Sequence, residues 1–188
     1  NVRTRRAIIG ADVVLVVIDA YKGFTKQDKS IADEVINKGK GMAIIVNKWD
    51  LIEKETNTMR DFTVEMSLQF KSLSHYPVLF ISAKTKQRIS SILKIANQVY
   101  DLRLTNLGTS DLNKFLQNIL KLQQPPATKG KAISLKYMTQ VSSAPHLFVI
   151  FTNYPKLIPS SYKRFVENQL RESFNLEGVP IRLSFRRK

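Results

Sequence analysis

The feature of the sequence that most restricts the fold is the uninterrupted aliphatic run Val13–Ile18, which ends at Asp19. Aliphatic residues without polar alternation are typical of a parallel strand that is buried on both faces. Two further apolar segments, Met42–Val46 and Val78–Ile81, have the same character. Segments of helical period separate and follow them, at Gln27–Lys38, Thr58–Phe70 and Ile89–Leu102. Strands and helices that alternate across short connections predict an α/β fold, a parallel sheet wrapped by helices.

The pattern changes after Arg103. We predict a first domain over residues 1–103, a linker over residues 104–110 and a second domain over residues 111–188. The second domain is expected to be a small α+β unit in the order helix, strand, strand, helix, strand. Its strands are predicted at Ile133–Val141, Leu147–Thr152 and Ile181–Phe185. Alternation in the first of them places Ile133, Leu135 and Tyr137 on one face and Lys136 on the other.

The net charge of +15 is distributed unevenly. Up to Asp101 there are 16 Lys and Arg against 11 Asp and Glu, a difference of +5. From Leu102 onward there are 14 against 4, a difference of +10. This asymmetry favours a polyanionic partner, RNA or DNA, for the second domain. The alternative is a highly charged surface that serves only solubility.

Several classes of protein are excluded by what the sequence lacks. There is no cysteine, which excludes disulfides and Cys-ligated metals and fits a cytoplasmic protein. The apolar runs are too short to span a bilayer, and the first residues lack the apolar core of a signal peptide. His75 and His146 have no ligand spacing, so we expect no metal site. The sequence does not begin with Met, so we expect it to be part of a longer protein.

Asn47-Lys48-Trp49-Asp50 follows directly after the second apolar strand. In this N-K-x-D pattern the carboxylate of Asp50 can accept hydrogen bonds from the ring N–H and the amino group of guanine, a donor pair that adenine does not offer. The amide of Asn47 can serve the opposite edge of the base, and the stem of Lys48 can lie over the ring. The alternative is an ordinary strand-to-loop turn in which Asp50 caps the next element. Trp49 is expected to be a packed residue.

Ser82-Ala83-Lys84 follows the next predicted strand in the same way. The small side chain of Ala83 lets its backbone N–H approach the base oxygen, while Lys84 can cover the base from the other side. Each segment alone is a weak signal, but parallel sheets bind ligands beyond the carboxyl ends of their strands, where both segments lie. We therefore predict guanine binding by Asn47, Lys48, Asp50, Ser82, Ala83 and Lys84.

N-K-x-D followed by S-A-K resembles the base-binding pair of the translation-factor-related small GTPases. Three segments, Gly23–Lys29, Val46–Leu51 and the ending Gly178–Lys188, are similar more closely to the bacterial double-Era-like GTPases of the Der (EngA) family. The resemblance covers essentially the whole chain. It implies the later part of the second of two tandem P-loop-GTPase-type G domains, followed by a KH-like domain.

The resemblance also implies what the intact protein does. It implies a cytoplasmic, monomeric GTPase that binds GTP or GDP with Mg²⁺ and acts in assembly of the large ribosomal subunit. The implied partners are that subunit with its rRNA and the protein's own first G domain.

The sequence departs from that family in its phosphate-binding part. It contains no G-x-x-x-x-G-K-[ST] segment and no D-x-x-G segment, since Ala20-Tyr21-Lys22 follow Asp19. Phosphoryl transfer depends on positioning and electrostatics. We therefore expect no catalytic residue and no Mg²⁺ ligand in this chain, no GTP hydrolysis by it alone, and the missing parts upstream of Asn1. The alternative function is a non-enzymatic RNA-binding module on a truncated nucleotide-domain scaffold.

The second domain also departs from the KH pattern, because the G-x-x-G loop that clamps nucleotides is absent. RNA binding must then use other basic residues, for which the candidates are Lys129, Lys131, Lys136, Lys163, Arg164, Arg171, Arg182, Arg186, Arg187 and Lys188. Tyr137, Phe148 and Phe185 could stack on bases, but aromatic residues on the strands of a small domain are expected in its core. Arg3, Arg5 and Arg6 are expected at an exposed helix start.

Overall fold

A computed structural model describes residues 2–53 and 55–187. They divide into two compact units. The first unit contains the residues up to Leu102 together with Glu177–Pro180, and the second contains Arg103–Leu176 and the residues from Ile181 onward. In chain order the elements are α1 (Val2–Gly10), β1 (Val13–Asp19), α2 (Lys26–Asn37), β2 (Gly41–Asn47), α3 (Thr58–Gln69), β3 (Val78–Phe80), α4 (Ser90–Leu104), α5 (Thr109–Leu122), β4 (Leu135–Ser143), β5 (His146–Thr152), α6 (Ser160–Phe174) and β6 (Ile181–Arg186).

The first unit is built on a parallel sheet in the order β1-β2-β3. The central strand β2 is buried from Gly41 to Val46, as an apolar strand with neighbours on both sides must be. Helix α2 starts at a capping box, in which the backbone N–H of Asp28 donates to Thr25 Oγ1 and the N–H of Thr25 donates to Asp28 Oδ2. Its Ala32 and Val35 face the sheet and belong to the core.

Strand β1 is less buried than its sequence predicts. Val16 and Ile18 are buried, but Val17 is 58% exposed, so the expectation of a strand buried on both faces is wrong in part. Among the described residues β1 pairs with β2 alone and forms an edge of the sheet. The side chain of Val17 therefore has strand neighbours on one side only, whereas its partner in the register, Ile45, is enclosed.

The short segment Glu177–Pro180 belongs to the first unit through backbone hydrogen bonds. Gly178 donates to the carbonyl of His75 (2.8 Å), and Met42 donates to the carbonyl of Gly178 (2.8 Å). Gly178 has φ +82°, and a Cβ added there would lie 2.6 Å from Val99 Cγ2 and 3.2 Å from the Met42 carbonyl oxygen. Both the backbone conformation and the close approach require glycine.

The second unit has the sheet order β4-β5-β6, with β4 and β5 antiparallel and β5 and β6 parallel. Helices α5 and α6 contribute buried residues at helical spacing: Leu112, Phe115, Leu116, Ile119, Tyr162, Val166 and Leu170. The strands contribute Met138, Phe148 and Ile150, each fully buried, which confirms the prediction for Phe148. Two sheets, one parallel and one mixed, both covered by helices, confirm the predicted α/β fold followed by a small α+β unit.

Strand β4 corrects a prediction. It begins at Leu135, and its register shifts between Leu135 and Tyr137. This irregularity allows both Leu135 and Met138 to be buried, and it leaves Lys136 and Tyr137 both exposed. The predictions that Tyr137 shares a face with Leu135 and lies in the core are therefore wrong, while Phe185 is half-buried.

The free edge of β4 is occupied by a side chain. The Asn113 amide on α5 donates to the carbonyl of Met138 (2.9 Å) and accepts from its N–H (3.0 Å), as a neighbouring strand would.

No helix within the described ranges is long and apolar enough to cross a membrane.

Candidate functional site

The two loops predicted to face a base lie side by side. In the register of the parallel sheet Asp19 pairs with Asn47 and Val46 pairs with Phe80, so the carboxyl ends of the three strands meet at one edge. Beyond that edge the backbones remain joined: Ile81 donates to the carbonyl of Val46 (2.8 Å), and the N–H of Trp49 donates to the carbonyl of Ile81 (3.0 Å). The sheet thus brings together the segments 47–50 and 82–84.

Two side-chain hydrogen bonds connect the loops directly. The Oδ1 of Asn47 accepts from the N–H of Ala83 (3.1 Å), and Ser82 Oγ donates to Asp50 Oδ1 (2.6 Å). Ser82 is fully buried and its Oγ also accepts from the N–H of Thr85 (3.1 Å). Each loop therefore fixes a polar side chain of the other. The hydroxyl of Ser82 thus restrains the Asp50 carboxylate.

Lys48 is held by a residue to which the sequence analysis assigned no role. Lys48 adopts a left-handed backbone conformation (φ 64°), and its Nζ lies 2.7 Å from Asp19 Oδ2. The other oxygen of Asp19 accepts from the N–H of Tyr21 (2.9 Å). The hydrogen bond from Lys48 holds the pKa of the Asp19 carboxyl below its ordinary value. In the sequence, this pair is indicated only by the acidic residue Asp19 at the end of the strand that neighbours β2.

The remaining residues of the two loops divide into packed and exposed ones. Trp49 is fully buried, with its ring 5.7 Å from that of Phe62 and 4.4 Å from that of Phe80, which confirms the expectation that it is packed. Ala83 and Lys84 are exposed. Trp49 therefore anchors its loop to the core, and the polar residues on either side of it are left at the sheet edge.

The exposed basic candidates of the second unit lie on a turn, on two strands, on one helix and after the last strand. Lys129 and Lys131 belong to a tight turn in which the backbones of Thr128 and Lys131 exchange hydrogen bonds (3.1 and 3.0 Å). Lys129 and Gly130 have φ of 52° and 71° there, typical of a two-residue hairpin turn, and Lys131 Nζ lies 5.0 Å from the ring centre of Tyr154. The other exposed candidates are Lys136 on β4, Lys163 and Arg164 on α6, Arg182 and Arg186 on β6, and Arg187.

One candidate is engaged inside the unit, and one lies outside the described residues. The side chain of Arg171 is only 9% exposed, pairs with Glu167 (3.1 Å) and donates to the carbonyl of Leu176 (3.0 Å). It stabilises the end of α6 rather than facing solvent. Lys188 is the residue outside the described ranges. Arg3, Arg5 and Arg6 lie exposed on α1, as expected.

Within residues 2–53 and 55–187, no three His, Cys, Asp or Glu side chains are grouped so that they could hold a metal ion. The polar groups at the sheet edge are two carboxylates, an amide and a lysine, which together offer hydrogen-bond donors and acceptors.

Comparison with known proteins finds two families matched in succession along the chain. Residues 2–102 match the family described as the elongation factor Tu GTP binding domain, and residues 106–186 match the KH-domain-like C-terminal region of EngA bacterial GTPase enzymes. The proteins named GTPase Der from Chloroherpeton thalassium and Alkaliphilus metalliredigens are each 44% identical to the chain. These alignments cover 99% and 100% of the chain but 43% and 42% of the relatives, so the chain spans less than half of their length.

A solved structure, that of Aquifex aeolicus Era bound to GDP and aluminium fluoride, aligns over 96% of the chain and 66% of its own length. Its identity is 18% and its TM-score 0.44, too distant a likeness to support a conclusion about this chain. The assignment depends on the sequence relatives and on the two families matched in succession. The chain therefore belongs to the Der (EngA) family of GTPases and comprises part of a GTP-binding domain and the family's C-terminal KH-like domain.

Proposed function

We propose that the first unit recognises the guanine base of GTP and GDP through Asn47, Lys48 and Asp50, with Ser82, Ala83 and Lys84 completing the site. The observation that carries the proposal is the pair of hydrogen bonds that ties Asn47 to Ala83 and Asp50 to Ser82. These contacts order both loops at the carboxyl edge of the parallel sheet, where α/β folds bind nucleotides.

The chemistry of Asp50 determines which base is accepted. A carboxylate offers about four lone-pair positions, so the hydrogen bond from Ser82 is compatible with further donors from a base. Guanine presents a ring N–H and an amino group side by side, and adenine does not. An adenine in this place would leave the Asp50 carboxylate without its donors. A polar group left unpaired is the strongest available form of discrimination between the two bases.

Lys48 and Lys84 are proposed to cover the two faces of the ring. The ion pair with Asp19 fixes the end of the Lys48 side chain, so its methylene stem is available to an aromatic ligand. Lys84 is exposed on the neighbouring loop. A base between two such side chains would be covered on both faces.

For the intact protein we propose GTP hydrolysis, with the phosphate cradle and the Mg²⁺ ligands supplied by segments outside this sequence. This sequence contains the candidate base loops but no G-x-x-x-x-G-K-[ST] segment to hold the phosphates. Nearly all catalysis of phosphoryl transfer lies in positioning the phosphates, so we assign that role to other segments of the intact protein. The chain alone is then a base-recognising part without hydrolytic activity. The intact protein is proposed to be a cytoplasmic monomer that carries its own first G domain.

The second unit is proposed to contact rRNA during assembly of the large ribosomal subunit. The charge of +10 over the residues from Leu102 onward supports a polyanionic partner, and the exposed cations of the second unit lie on a turn, a helix and two strands rather than on one helix alone. Phosphate contacts of this kind weaken steeply as salt rises. The nucleotide bound by the first unit would then switch the affinity for RNA, a differential-affinity mechanism.

Exchange of the base preference tests the nucleotide site. In the intact protein, Asp50→Asn should shift binding from guanine towards xanthine nucleotides, because the amide presents a donor where the carboxylate accepts. Asp61→Asn, on the exposed side of α3, is the matched control and should leave the preference unchanged. Unaltered guanine selectivity of the Asp50 variant in competition binding would refute the assignment.

A GTPase assay on intact protein and on residues 1–188 separates the enzyme from the alternative of a non-enzymatic RNA-binding module.

A further inference from the structure

Three residues form a row across the sheet of the second unit. Tyr137 on β4 pairs in register with Phe151 on β5, and Phe151 pairs with Arg186 on β6. Register partners in neighbouring strands point to the same face, and the rings of Tyr137 and Phe151 are 6.1 Å apart at 38°. Tyr137 is 42% exposed, Phe151 is half-buried and Arg186 is exposed. We call these three residues the aromatic row.

The position of Tyr137 is created by the bulge in β4. In a regular strand Leu135 and Met138 would point to opposite faces, yet both are buried. The register shift between Leu135 and Tyr137 allows Leu135 and Met138 to be buried on the same face, and it leaves Lys136 and Tyr137 together at the surface. The fold requires the two buried residues, but it requires no aromatic ring at 137. A large ring that is solvent-exposed beside a second ring is therefore unexplained by packing.

The charges around the row indicate the chemistry of a partner. The strands β4, β5 and β6 contain Lys136, Arg182 and Arg186 and no Asp or Glu. Lys136 adjoins Tyr137 in sequence, and Arg186 lies beside Phe151 in the register. Aromatic rings with cations at both ends match an unpaired nucleotide, whose base stacks and whose phosphate is anionic.

We propose that the aromatic row, together with Lys136, is a stacking platform for the bases of single-stranded RNA. The proposal rests on the proposed contact with rRNA and specifies it: unpaired nucleotides, bound on a sheet face through Tyr137 and Phe151. A protein partner fits less well, since it would need acidic residues to match Lys136 and Arg186. Double-stranded RNA fits less well too, because its bases are not available for stacking.

Binding of a short single-stranded RNA that carries the fluorescent base 2-aminopurine tests the platform, with the full chain and with the intact protein. Stacking on Tyr137 should quench the probe. Tyr137→Ala should weaken binding roughly 5- to 100-fold, whereas Tyr137→Phe, which keeps the ring, should bind as the wild type does. Tyr100→Ala is the matched control, because Tyr100 is 41% exposed on α4 in the first unit. Arg186→Gln should lower the slope of log affinity against log salt by about one.

The outcomes separate the platform from the proposed function. Salt-dependent RNA binding that Tyr137→Ala leaves unchanged, with a far-UV spectrum equal to the wild type, would overturn the platform and leave the rRNA contact standing. An equal loss for single-stranded and double-stranded probes would also overturn it, since that is the signature of a phosphate contact. Absence of any RNA binding by the wild type would refute the rRNA contact and the platform together. Self-association that is lost in Tyr137→Ala, without an effect on RNA, would assign the surface to a protein contact.

Discussion

Replacing Ser82 by alanine removes a single oxygen from the place where the two base loops are joined. In the wild type that oxygen donates to Asp50 Oδ1 at 2.6 Å and accepts from the N–H of Thr85 at 3.1 Å. Ser82 is fully buried, so water cannot take the place of the lost hydroxyl without rearrangement of the loops. The substitution leaves Asn47 and its hydrogen bond to Ala83 intact, and it therefore isolates one of the two connections.

The magnitude follows from the two bonds. A hydrogen bond to a charged group contributes about 1.5–3 kcal/mol to stability. Water does not enter the space of the lost hydroxyl, but it can bind Asp50 and Thr85 at their exposed sides, so we expect a loss of about 1–2 kcal/mol. For a unit of this size that corresponds to a decrease in Tm of about 4–10 °C. Freed from Ser82, the Asp50 side chain must be ordered on binding, which weakens guanine-nucleotide affinity by roughly 2- to 12-fold.

Tryptophan fluorescence provides the assay. Trp49 is the only tryptophan of the chain and is fully buried in the first unit, next to Asp50. Its emission during thermal or urea unfolding therefore reports on the unit that contains the substitution. Ser74→Ala is the control, since Ser74 donates only to the carbonyl of Lys71 in an exposed turn. Its unfolding midpoint should stay close to that of the wild type.

Two results would contradict the reasoning. If Ser82→Ala and Ser74→Ala unfold at the same midpoint as the wild type, the bond between Ser82 and Asp50 makes no net contribution. If Ser82→Ala is destabilised but binds guanine nucleotides as tightly as the wild type in the intact protein, Ser82 supports the fold without positioning Asp50.

Three further substitutions test the neighbouring features. Asn47→Ala removes the acceptor of the Ala83 N–H and should reduce guanine-nucleotide affinity of the intact protein at least tenfold in equilibrium binding, about 1.4 kcal/mol. Gly178→Ala should destabilise the first unit by about 2–4 kcal/mol, because left-handed backbone strain adds to overpacking against Val99. Gly23→Ala is the control: Gly23 has a similar φ and open space around it, so its substitution should show the backbone strain alone. Asp19→Asn addresses pH: the lowered pKa of Asp19 means that its stabilising pair with Lys48 is complete above the ordinary Asp pKa and is lost as pH falls through the lowered one. Trp49 fluorescence should therefore show wild type more stable than Asp19→Asn at neutral pH and the two converging in strong acid.

The sheet and the candidate base loops of the first unit could be predicted because they depend on short-range patterns. A buried aliphatic strand such as Met42–Val46 has few alternatives, and a polar segment that directly follows it must lie at the sheet edge. The order of strands and helices in the second unit followed from the same periodicities. A candidate function could be proposed where the chemistry of a side chain restricts its ligand. The carboxylate of Asp50, for example, calls for a base with two adjacent hydrogen-bond donors.

Other features depend on contacts that no local pattern records. Within the described residues β1 pairs with β2 alone and Val17 is exposed, whereas the sequence of β1 is typical of a central strand. Asp19 and Lys48 are distant in sequence and meet only through the register of β1 and β2. Tyr137 is exposed because a bulge interrupts the alternation that assigned it to the core.

If segments 47–50 and 82–84 bind guanine as proposed, their arrangement would let base specificity be separate from phosphate chemistry. Asn47, Asp50 and Lys48 are each held by another group of the same unit: the Ala83 backbone, Ser82 and Asp19. Side chains that are ordered before the ligand arrives lose little entropy on binding, so more of the interaction energy contributes to affinity. None of these three contacts requires a phosphate or a metal ion. The proposed base site therefore lies at the carboxyl edge of β1, β2 and β3, and we expect segments 47–50 and 82–84 to keep their geometry when phosphate-binding residues are absent.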